Sequence, residues 1–111
     1  MPDKPNGGSL PAVEILAESG SYDPGNCNVD VVARFPDGAT YVATFFTIDN
    51  LRSLMQRWRT TGESGDGLYV WSTDMIVVEE VSEEIVARVI RELLANNDFD
   101  TAFSFCPLPQ E

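Results

Sequence analysis

The chain has 111 residues, enough for one domain with a real core, which at this size buries roughly two-thirds of the surface its unfolded form exposes. Hydrophobic residues make up 43% and charged residues 23%, a globular rather than a disordered composition. Seven Lys and Arg face eighteen Asp and Glu, a net charge of −11 that repels phosphate backbones and argues against nucleic-acid binding.

Other exclusions come from what the sequence lacks. There is no histidine, which removes the usual general base, the common nucleophile-activating dyads and the commonest zinc ligand. Cys27 and Cys106 are too few for a disulfide scaffold and have no metal-ligand spacing, so free thiols are expected, with a bridge between them as the alternative. No apolar run approaches the ~20 residues of a membrane span. The first residues carry no signal-like pattern, so the expected location is the cytoplasm.

Residues 1–11 are rich in Pro and Gly and read as a tail, with a second short tail at 107–111 and one domain at 12–106. Ala12–Glu18 is the first strand candidate, and Asp23-Pro24-Gly25-Asn26 is a turn. Val29–Phe35 alternates cleanly, with Val29, Val31, Ala33 and Phe35 on one face. Pro36-Asp37-Gly38 closes a hairpin into a strand at Ala39–Phe46. At Thr47 the period changes. Thr47 is a helix N-cap, Asp49 suits the first turn, and Leu51, Leu54, Met55 and Trp58 form an apolar stripe that ends at Gly62.

Glu63–Gly67 reads as a flexible connection. Leu68–Trp71 and Met75–Glu80 are expected to pair around Ser72-Thr73-Asp74, with both faces of the apolar run Met75–Val78 covered. Ser82 caps a second helix, with Glu83 and Glu84 in its first turn and Val81 placed to staple onto Val86. Its apolar positions, Ile85, Val86, Val89, Ile90, Leu93 and Leu94, span a face wide enough to meet both the sheet and the first helix. Phe99, Phe103 and Phe105 fit either a strand or a helical turn, and all three are expected to be buried.

These elements predict an α+β fold: a single, mainly antiparallel sheet of about five strands with two helices packed on one face, in the order ββ-hairpin-α-ββ-α. The opposite face then carries Val32, Val42, Phe46 and part of Met75–Val78. Either the phenylalanine tail folds over that patch or a second copy of the chain covers it, and on the second reading a homodimer is expected.

Four groups of residues are candidate sites. Asp66, Asp74, Glu79 and Glu80 could converge on a divalent cation, although no calcium-loop spacing is present, and a solvated acidic rim is the plainer reading. Arg52 and Arg59 share a helix flank and are anion-binding candidates, against simple pairing with nearby carboxylates. Tyr69 and Trp71 fall on one side of their segment and, with Val42 and Phe46, are interface candidates, against the plainer reading of the aromatic pair as core. No catalytic set and no cofactor motif is identified.

The run FFTIDNLRSLMQRWRTTGES, followed by GLYVWSTDMIVVEEVSEEIV, resembles a pattern of small bacterial proteins of about this length without an assigned function, and names no catalytic residue. In size and acidity the chain is also similar to bacterial immunity proteins, which neutralise a toxin. The function expected is therefore a non-enzymatic acidic interaction domain, self-associating. The alternatives are an immunity or inhibitor protein for a basic partner, and a carboxylate- or metal-dependent enzyme.

Overall fold

The computed structural model describes residues 10–17 and 20–107; the expected tails lie outside the described residues except for their inner ends. The elements are β1 (Ala12–Leu16), β2 (Asn28–Arg34), β3 (Thr40–Thr47), α1 (Ile48–Thr61), the single turn α2 (Glu63–Gly67), β4 (Met75–Val78), α3 (Glu83–Ala95), α4 (Phe99–Ala102) and β5 (Ser104–Cys106). The class is α+β, with one five-stranded, mainly antiparallel sheet.

β1, β2 and β3 form an antiparallel meander, Val13 opposite Ala33 and Val31 opposite Ala43. The free edge of β3 is then shared end to end. Its last residues, Thr44–Thr47, pair in parallel with β4, and its first, Thr40–Val42, pair antiparallel with β5. The expected hairpin between Leu68–Trp71 and Met75–Glu80 does not form. β4 finds its partner across α1, and 68–71 pairs with no strand. The physical reason is that β3 still offered an unpaired edge beside Phe45 and Thr47. Laying β4 there buries more apolar surface than a short two-stranded ribbon could.

One face of the sheet carries the core. Val29, Val31, Ala33 and Phe35 of the β2 region and Ala43 and Phe45 of β3 pack with Val86 and Ile90 of α3, Phe99 of α4 and Phe103. Val81 and Val86 are both fully buried, as a staple across the Ser82 cap requires, and the Ser82 hydroxyl accepts the Ile85 N–H at 3.1 Å. The phenylalanine tail combines both expected forms, a helical turn and then a strand. Phe99 and Phe103 stack at 4.5 Å, with Phe35 and Tyr41 edge-on to Phe99, while Phe105 stays more than half exposed beside Tyr41.

α1 adds no residue to that core, so of the two helices expected together against this face α3 supplies the packing alone. Val32 and Phe46 point to the second face by alternation. They are buried outside the first core, and so is Leu54 of α1. The first turn of α1 is also tied to the second-face residue Asn28, whose side chain donates to Asn50 at 2.9 Å, while Asn26 donates to Ser53 at 3.3 Å. The second face is thus partly closed within the chain itself.

Thr47 is where strand becomes helix. It is fully buried. Its hydroxyl accepts the Asn50 N–H as helix cap and the Cys27 N–H, each at 3.1 Å. Its own N–H donates to the Cys27 carbonyl at 3.0 Å, closing the β2–β3 ladder at the point where α1 departs.

Candidate functional site: an exposed apolar segment in an acidic field

α1 ends as its sequence demands. Gly62 takes the left-handed conformation and its N–H bonds the Trp58 carbonyl at 2.8 Å. The next residues are not a loose connection. Ser64, Gly65, Asp66 and Gly67 all have positive φ (50°, 62°, 62° and 82°), a left-handed turn closed by the Leu68 N–H on the Ser64 carbonyl at 2.9 Å. For the non-glycine residues that conformation costs about 1–2 kcal/mol each. Buried Gly67 holds the turn against α1: a Cβ there would lie 2.2 Å from the Met55 carbonyl oxygen.

This anchored turn delivers the chain into Leu68–Trp71, which belongs to no strand or helix. Leu68 is 78% exposed, Tyr69 46% and Trp71 69%, and Val77 on the β4 edge is 47% exposed. Asp74, with φ of 43°, closes the far end, and its carbonyl receives the Thr44 N–H at 3.0 Å. Large side chains left in water along a segment pinned at both ends are the marks of a contact surface.

The sequence flanking the segment is acidic, with Arg59 of α1 beside the turn at Gly67. Between Thr60 and Ala87 the chain has seven acidic residues and no basic one. Among them Glu63, Asp66, Glu79 and Glu80 are exposed and Asp74 is half-buried. They do not make a cation site: among the described residues no three His, Cys, Asp or Glu stand close enough together to hold a metal ion.

The other candidates fall elsewhere. Phe46 is buried within the chain and Val42 is half-buried. Arg52 pairs with Asp49 at 3.3 Å on the outer surface of α1, the local pairing weighed against anion binding. Arg59 lies in the last turn of α1 with its stem against Gly67. Both cysteines are free thiols. Burial and the nearby Asp23 carboxylate push the Cys27 thiol up from its ordinary value, which keeps it protonated and inert at neutral pH.

Tyr69 and Trp71 were visible as interface candidates in the sequence, but Leu68 was not, because an expected strand hid it. The signal that could have found it is the long basic-free window around it. Among the described residues no helix is long and apolar enough to cross a membrane. Compared with protein-family models, curated proteins and solved structures, the chain matches none.

Proposed function

We propose that the chain is a non-enzymatic interaction domain that docks a basic protein partner through Leu68, Tyr69 and Trp71. The observation that carries this reading is the exposed Leu68–Trp71 run, held by a glycine-locked left-handed turn in a stretch of sequence rich in carboxylates. The apolar side chains supply the desolvated anchor, and aromatic residues are the usual energetic centres of such contacts. The carboxylates supply attraction at a distance and select against acidic surfaces. Pairing this patch with its own copy would set Glu63, Asp66, Glu79 and Glu80 against themselves, so a partner of opposite charge fits better. The anchored turn lowers the ordering cost of binding, because little backbone freedom remains to be lost.

The experiment is capture from the source organism with the native chain and with the double variant Leu68→Ser/Trp71→Ser, each at low and at high salt. A basic protein held by the native chain, lost by the variant and released by salt supports the proposal. It must also bind when both components are purified. Equal retention by native chain and variant, retention that ignores ionic strength, or no basic protein held at all overturns it.

A further inference from the structure

We infer that a second, separate surface, the outer edge of α3, pairs with the same edge of another copy of this chain. Val89, Leu93 and Leu94 of α3 pack against the core beside Val86 and Ile90 but stay only partly buried, and Ile85 stands outside it. Val86 and Ile90 are buried, while Ile85, Val89 and Leu93, spaced by four, remain half-exposed and line a groove of about 300 Å³ bordered by Arg88 and Glu92.

The occupant follows from charge and symmetry. A two-fold axis beside Val89 lays two α3 helices antiparallel, sets each Ile85 against the other copy's Leu93, and brings each Arg88 beside the other copy's Glu92. Within α3 three glutamates face two arginines, a net of −1 in a chain of −11. This flank is therefore nearly neutral and self-complementary, whereas the acidic sequence flanking Leu68–Trp71 repels its own copy. A single helix stripe buries less than the ~1,200 Å² of standard interfaces, so the pair is weak and its population depends on concentration. The two surfaces share no residue.

Sedimentation equilibrium of the full chain from micromolar to millimolar concentration tests the inference. Arg88 and Glu92 are exposed, so reversing either charge leaves the core intact. The native chain dimerises as concentration rises. Arg88→Glu and Glu92→Arg each weaken self-association by roughly five- to thirtyfold, since two like-charged pairs replace two attractive ones. Mixing the two single variants restores association, because each then offers the charge the other lacks. A native chain that is monomeric throughout, a dimer indifferent to both reversals, or a mixture that associates no better than either variant alone overturns the inference.

Discussion

Removing the Thr47 hydroxyl without changing the shape of the side chain isolates the interaction that turns the chain from sheet to helix. In Thr47→Val two N–H groups lose their acceptor. The Asn50 N–H, third in the helix, loses a cap contributing about 0.5–2 kcal/mol. The Cys27 N–H is left unsatisfied in a buried site, at a cost of about 1–3 kcal/mol. The backbone bond from the Thr47 N–H to the Cys27 carbonyl survives and offsets none of this loss. The sum is about 1.5–5 kcal/mol, a drop in Tm of roughly 6–30 °C for a domain of this size. Thr47→Ser keeps the oxygen and loses one buried methyl, costing about 1 kcal/mol. Urea titration followed by far-ultraviolet circular dichroism measures both. If valine costs less than serine, or less than about 0.5 kcal/mol, the reasoning about the turning point is wrong.

Other positions give sharper contrasts. Gly67→Ala, at φ of +82° and with its Cβ meeting the Met55 carbonyl, should destabilise by about 3 kcal/mol or more, whereas Gly38→Ala, with open space around it, should cost only about 1 kcal/mol; differential scanning calorimetry separates them. Phe103→Ala should lose about 3–5 kcal/mol in chemical denaturation, against a much smaller loss for the exposed Phe105→Ala. Stability should also fall in alkali. Burial, with Asp100 and Asp37, raises the Tyr41 phenol from its ordinary value of 10.0, and burial with Asp23 raises the Cys27 thiol from 9.0. The native state therefore holds these protons more tightly than the unfolded chain. Their contribution is intact below pH 9.0 and is lost as pH climbs through the raised native values. Urea midpoints measured from pH 7 upward should decline in that window, and Cys27→Ala should shift the onset higher.

The parts of the fold legible in the sequence are those with a local physical cause. The β2–β3 hairpin follows from Asp37-Gly38, and both long helices follow from the caps Thr47 and Ser82 and from their apolar stripes. What the sequence concealed is long-range. Alternation in Met75–Val78 says that the segment is a strand but not which edge it joins, and β3 took it in parallel across α1. The width of the α3 face says that it needs cover but not that α1 would stand apart from it. Leu68–Trp71 had the composition of a strand, and only the loss of its partner exposed it. The left-handed turn at 64–67 was hinted at by two glycines flanking an aspartate, a pattern shared with ordinary loops. Tyr69 and Trp71 were singled out because period two aligned them on an expected strand; that strand does not form, and the structure shows of them only that they are exposed. Phe46 is buried within the chain and so offers no open surface, while Val42 stays half-buried.

The most direct test of the docking surface is the environment of Trp71 during binding. With Trp58→Phe removing the other tryptophan, the purified basic partner is titrated into the chain while Trp71 emission is recorded. Docking through Leu68–Trp71 predicts a blue shift that saturates with binding and an affinity that falls at least about tenfold between low and high salt. Binding that leaves the emission of Trp71 at its solvent-exposed maximum, or whose affinity is unchanged by salt, contradicts the account.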